Sequence, residues 1–149
     1  MPRNSADYEE DFYAWTIEQS RLLRSGELST IDAANIAEEI ESMGRSDRRA
    51  IESRLTVLLT HLLKWQLQPA MRSPGWSGTI REQRRRIEKL LRESPSLRPF
   101  VAETLSEAYA EAREDVLEEA GCLKRLPRRM PVHSRRDPTA RFSPGALTG

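Results

Sequence analysis

The sequence predicts an all-α fold: a five-helix bundle in a single domain, followed by an irregular C-terminal tail. Three observations carry this. Apolar residues recur at steps of three and four through five successive segments, which is the helical period. Gly26, Gly44, Pro69, Pro74, Gly75, Pro95 and Gly121 punctuate those segments. No segment alternates apolar and polar residues with β-branched enrichment, so no strand is expected. A chain of 149 residues is about one domain, long enough to hold a core without disulfide or metal.

The first helix is expected over about 6–25, capped by Ser5 or Asp7. Tyr8, Phe12, Trp15, Gln19 and Leu22 share one face, and Gly26 ends it. Thr30 or Asp32 caps a second helix, marked by Ile31, Ala34, Ile36, Ile40 and Met43 and closed by Gly44. Ser46 opens the third. Its stripe of Ile51, Leu55, Leu58, Leu59, Leu62, Leu63 and Trp65 is apolar nearly all round, which places it centrally. Pro69 and Pro74-Gly75 make a loop, and Ser77 or Thr79 opens the fourth helix with Ile80, Ile87, Leu90 and Leu91 inward. Ser94-Pro95 stops it. The fifth helix covers about 97–120, with Pro99 in its first turn and Val101, Leu105, Ala108, Ala112, Val116 and Glu119 as its stripe. Residues 6–121 are thus the expected all-α domain. Residues 122–149, with 4 of the 9 prolines and no periodicity, read as a disordered Pro/Arg-rich tail.

The net charge of +1 conceals alternating blocks. Residues 1–44 hold 3 basic and 10 acidic side chains, 45–92 hold 12 and 4, 93–121 hold 2 and 8, and the tail holds 7 and 1. Blocks of this kind form complementary helix faces, or, in the central case, a phosphate-binding face. One cysteine, Cys122, excludes an intramolecular disulfide framework and a Cys-rich zinc site. It follows a helix C-terminus, where the dipole does not lower a thiol pKa. No apolar run reaches about 18 residues, and the first residues lack a signal-peptide core, so a cytoplasmic protein without membrane association is expected.

The runs DFYAWTIEQSRLLRSG, AEEIESMGRSDRRAIESRLTVLLTHLLKWQLQP, PGWSGTIREQRRRIEKLL and SPSLRPFVAETLSEAYAEAR, in this order and spacing, strongly resemble the domain of unknown function 29 family. The resemblance covers about residues 7–120. It implies a small bacterial all-α protein and carries no activity. Members continue past this point with a segment like Phe-Pro-Glu-x-Cys-Pro-Tyr-Thr. Here residues 126–133 read Leu-Pro-Arg-Arg-Met-Pro-Val-His. Codons compatible with these residues, read one nucleotide later, encode Phe-Pro-Glu-Glu and Cys-Pro-Tyr-Thr. The resemblance therefore implies a frameshifted C-terminus, which the gene's nucleotide sequence tests.

Few residues offer chemistry. His61 lies in the apolar stretch of the third helix. It reads either as a core histidine with a hydrogen-bond partner or as a ligand or base beside Glu38 and Glu41 of the second helix. The paired Glu-x-x-His motifs of di-iron bundles are absent, and the carboxylates have Arg45, Arg48, Arg49 and Arg54 as alternative partners. Trp65 and Trp76 flank the proline loop. They read as a structural clamp on that connection, or as part of an aromatic and basic patch with Lys64, Arg72, Arg81, Arg84 and Arg85. Tyr109 and Arg113 share a face of the fifth helix. There is no phosphate loop, nucleophile elbow or zinc histidine pair.

The expected function is a non-catalytic protein-binding module, with a protein partner or homodimer and no cofactor. The second reading is a nucleic-acid-binding protein using the central basic helices. The third is a metal-dependent enzyme around His61, Glu38 and Glu41.

Overall fold

The computed structural model describes residues 7–120, and these are helical throughout apart from turns and short connections. Four helices form, not five: α1 (Phe12–Ser25), α2 (Ala33–Leu67), α3 (Pro74–Glu93) and α4 (Arg98–Ala120). Three short 3-10 turns, Leu28–Thr30, Pro69–Met71 and Pro95–Leu97, lie in the connections. The tail expected at 122–149, and the frameshift expected within it, lie outside the described residues.

The helix count changes at Gly44. The expected second and third helices are one uninterrupted element, α2, and Gly44 sits inside it. Glycine costs about 1 kcal/mol relative to alanine in a helix interior, which lowers stability without breaking the ladder. The flanking residues are helix formers, and no proline removes a donor. Nothing lies within 4 Å of a Cβ placed at Gly44. Gly44→Ala is therefore expected to stabilise the protein by roughly 0.5–1 kcal/mol in urea unfolding. A destabilised variant would contradict an unstrained helical backbone there.

Gly26 behaves differently. Its φ of 77° is left-handed, and its N–H reaches back to the carbonyls of Leu22 and Leu23 to end α1. At the other end of α1, Asp11 is the cap, its side chain accepting from the Ala14 N–H at 3.0 Å. Asp7 instead organises the preceding turn, accepting from the Glu9 N–H at 3.1 Å. Helix α3 starts earlier than expected. Ser73 caps it through the Trp76 N–H, and Pro74 occupies the first turn, where its missing donor costs nothing. Ser94 ends α3 as expected, and Pro99 stands in the first turn of α4.

The chain divides into two compact units, Met1–Ser46 and Asp47–Gly149. In the first, Trp15, Gln19 and Leu22 are buried along α1. The Tyr8 and Trp15 rings meet edge-on at 4.9 Å, and Phe12 stacks on Trp15 at 5.7 Å. Asp32 ties α1 to the start of α2. Its carboxylate accepts from Trp15 Nε1 at 3.2 Å and from Asn35 Nδ2 at 2.7 Å, while its N–H donates to Gln19 Oε1 at 2.8 Å. The bonds accepted by the carboxylate, from Asn35 first and then from Trp15, hold the Asp32 carboxyl below its ordinary pKa. The Tyr8 hydroxyl donates to Glu39 Oε1 at 2.5 Å, and that bond with its desolvation pushes the phenol up to about 12. Ile40 and Met43, whose spacing marked the expected second helix, are exposed. Their helical spacing is real, but no other element of this unit covers that stripe.

The second unit holds the main core. Ile51, Leu55, Leu58, Leu59, Leu62 and Leu63 of α2 pack with Ile80, Ile87 and Leu91 of α3 and with Val101, Leu105, Ala108, Tyr109, Ala112 and Val116 of α4. The wide apolar stripe of α2 makes it central, because it serves two neighbours at once. Thr56 pairs with Glu111 and Lys64 with Glu119. Both pairs are separated by the same interval on each helix, so this half of α2 and α4 run parallel. Arg54 bonds Gln83 and Lys64 lies over Trp76, so α3 runs antiparallel to α2. Arg84 falls on the inward stripe between Ile80 and Ile87. Its Nε and Nη2 are buried without a hydrogen-bond partner, and desolvation holds its pKa below that of an ordinary arginine.

Candidate functional site

Parallel packing of α2 and α4 leaves a pocket of about 440 Å³ on their shared flank. Thr56, Val57, Thr60, His61 and Lys64 line it from α2, and Asp115, Glu118 and Glu119 from α4. His61 is half-buried here. Its Nδ1 lies 2.9 Å from the Val57 carbonyl oxygen, one helical turn back. A carbonyl only accepts, so Nδ1 carries the hydrogen of this bond. The Lys64 ammonium is paired with Glu119 and lies 5.9 Å from the Trp76 ring centroid, which satisfies both of its electrostatic demands. Asp115 and Glu118 leave the α4 wall acidic.

The hydroxyls beside His61 are occupied. Thr60 Oγ1 donates to the Thr56 carbonyl at 2.8 Å. Thr56 Oγ1 lies 3.2 Å from the Glu52 carbonyl and 3.1 Å from Glu111 Oε2. Neither hydroxyl hands its proton to the imidazole, so the pocket contains no threonine–histidine nucleophile of the activated kind. What it offers is an imidazole and carboxylates: a hydrogen-bonding, cation-tolerant surface. Among the described residues, no group of three or more His, Cys, Asp and Glu is placed to hold a metal ion.

The expected site residues are distributed more widely than their sequence neighbourhood implies. Glu38 and Glu41 lie upstream on the same helix as His61, not on a separate helix facing it, and both are paired with Arg45. The merger at Gly44 removes the turn that would have folded them back. Trp65 is half-buried against the core, with the Arg72 guanidinium 5.1 Å from its ring and Arg72 Nε donating to its carbonyl at 2.7 Å. Trp76 is also half-buried. Of the proposed aromatic and basic patch, the structure thus brings Lys64 to Trp76 and Arg72 to Trp65. Arg85 is bound to Glu82 at 2.6 Å, Arg84 turns inward, and Arg81 is exposed.

Sequence reasoning missed Thr56, Thr60, Asp115, Glu118 and Glu119 as neighbours of His61. It also missed a second concavity, of about 510 Å³, where α2 and α3 cross. Arg54, Arg85, Arg86, Lys89 and Arg92 line that groove with a single carboxylate, Glu93. The basic block itself was visible. Which of its members share a wall depends on the α2–α3 register.

Fold and site together define an all-α protein whose described residues include an acidic concavity beside a histidine and a basic one. The family model described as Domain of unknown function DUF29 matches residues 8–137, and the chain belongs to that family. No curated protein and no solved structure matches it. No helix among the described residues is long and apolar enough to cross a membrane.

Proposed function

We propose that the protein is a non-catalytic binding module whose N-terminal unit receives a basic, amphipathic helix from a partner protein. One observation carries this reading. Of the eight large hydrophobic side chains exposed among the described residues, seven belong to Met1–Ser46: Phe12, Tyr13, Ile17, Leu23, Leu28, Ile40 and Met43. The same unit buries only Trp15 and Leu22 among its large apolar side chains. Single exposed hydrophobics are ordinary on any surface, but this concentration is not. Tyr13 and Ile17 share a face of α1, and Ile40 and Met43 share a face of α2, at the spacing that accepts helix anchors.

Charge selects the partner. Residues 1–44 hold 3 basic and 10 acidic side chains, so a two-fold homodimer through this unit would oppose like charges. A partner carrying lysine or arginine around its apolar anchors meets complementary charge. The test is fluorescence titration with a labelled 18-residue Leu/Lys amphipathic helix and its Leu/Glu counterpart. Saturable one-to-one binding of the lysine peptide alone is expected, weakened about tenfold by the charge-neutral change Ile40→Ser or Ile17→Ser. Equal binding of both peptides, or affinity indifferent to both substitutions, rejects the reading.

A further inference from the structure

The groove between α2 and α3 has no part in the binding surface above, and it carries an inference of its own. Five cations line it: Arg54 from α2, and Arg85, Arg86, Lys89 and Arg92 from two successive turns of α3. Ala50 and Leu90 are its apolar lining residues, and Glu93 is its one acidic lining residue. Local carboxylates do not balance these charges. Glu82 is shared between Arg85 and Arg86, and those two hydrogen bonds hold its carboxyl below the ordinary range. Glu93 reaches Lys89 at 3.7 Å. Arg54 bonds only the neutral Gln83, at 3.3 Å, and its buried Nε has no partner; Arg92 has no carboxylate partner among the described residues. A buried N–H without an acceptor is costly, and several cations held on one concave wall repel one another. An anion in the groove relieves both.

We infer that this groove binds an oligophosphate: the phosphoanhydride chain of a nucleotide or of an inorganic polyphosphate. Shape and chemistry favour this over a nucleic acid strand. The volume is that of a small-molecule site. Arg85 to Arg92 spans about 10 Å of helix, which matches a compact polyanion better than a tracked backbone. No aromatic side chain lines the groove, so it offers no platform on which bases stack. Arginine forks suit phosphate oxygens, with each contact made stronger by charge.

The test is calorimetric titration of the full chain with tripolyphosphate, with adenosine triphosphate and with a single-stranded 12-mer, at about 50 mM and 300 mM salt. Tripolyphosphate is expected to bind at a single site, more weakly at the higher salt. The exposed double change Lys89→Glu/Arg92→Glu is expected to weaken it at least about tenfold with unchanged circular dichroism. Arg81→Glu, a single charge reversal on α3 outside the groove and half the charge change of the double variant, is expected to alter affinity less than about threefold. A strong preference for the nucleoside triphosphate assigns the nucleotide as source, and equal affinity assigns the phosphate chain alone; both support the site. Four results overturn it. They are no binding by the wild type, no loss in the double variant, an equal loss in Arg81→Glu, or tighter binding of the oligonucleotide than of either oligophosphate.

Discussion

Leu58→Ala is expected to cost roughly 3 kcal/mol of unfolding free energy, within the range of about 2–5 kcal/mol for large-to-small changes at closed core sites. Leu58 is 1% exposed and sits in the middle of the α2 stripe, among Leu55, Leu59 and Leu62. Because α2 serves both α3 and α4, a cavity there is walled on several sides and collapses poorly, which places the cost above the bare transfer term. Urea denaturation followed by circular dichroism and by the fluorescence of Trp65 and Trp76 measures it. Leu58→Met, which conserves volume, is expected to lose less than about 1.5 kcal/mol. A Leu58→Ala loss below about 1 kcal/mol would show that α2 is not the centre of the core.

Trp15→Ala is expected to remove the ordered structure of the N-terminal unit. The substitution class costs about 3–5 kcal/mol in a core, and a unit of this size has little stability to spare. Trp15 is 4% exposed, contacts the Tyr8 and Phe12 rings, and donates to Asp32. Its removal deletes the largest buried side chain of the unit and the link between α1 and the start of α2. In native-state hydrogen exchange, amides of α1 should lose protection while those around Ile51–Leu63 keep theirs, since the latter are held by a separate cluster. Trp15→Phe keeps an aromatic ring but loses the indole N–H and part of the buried volume, and is expected to cost less than Trp15→Ala and more than the roughly 1 kcal/mol of the hydrogen bond alone. Wild-type protection of α1 in Trp15→Ala would refute this account of the unit.

Much of the fold was legible because it is encoded within a few residues. Gly26 ends α1 through its own left-handed backbone, Ser94-Pro95 stops α3, and the stripes of α3 and α4 are buried largely as their spacing requires. Two punctuation marks misled for related reasons. Gly44 carries only a propensity cost, which neighbouring turns of helix outweigh. Pro74 is a helix breaker in an interior and a helix starter in a first turn, and Ser73 makes it the second. The candidate site was less legible. His61 stood out as the lone histidine of the helical region, yet none of its pocket neighbours on α4 was identified, and the carboxylates first set beside it belong to Arg45.

What the sequence by itself determined is therefore the local part: helical class, the stops at Gly26 and Ser94, the apolar faces of α3 and α4, the division of charge into blocks, and the resemblance to the DUF29 family. The stops and faces rest on hydrogen bonds or periodicity spanning one or two helical turns, and the charge blocks and the family resemblance are properties of residue order alone, so a linear reading samples all of them directly. Only the tertiary structure decided that Thr56 meets Glu111, that Lys64 meets Glu119, and that five cations of one block converge on a groove while Arg84 turns inward. Those facts follow from the axial register between helices. Register is set by how whole faces interdigitate, and a shift of a single turn would exchange every partner while leaving the helical pattern of the sequence unchanged.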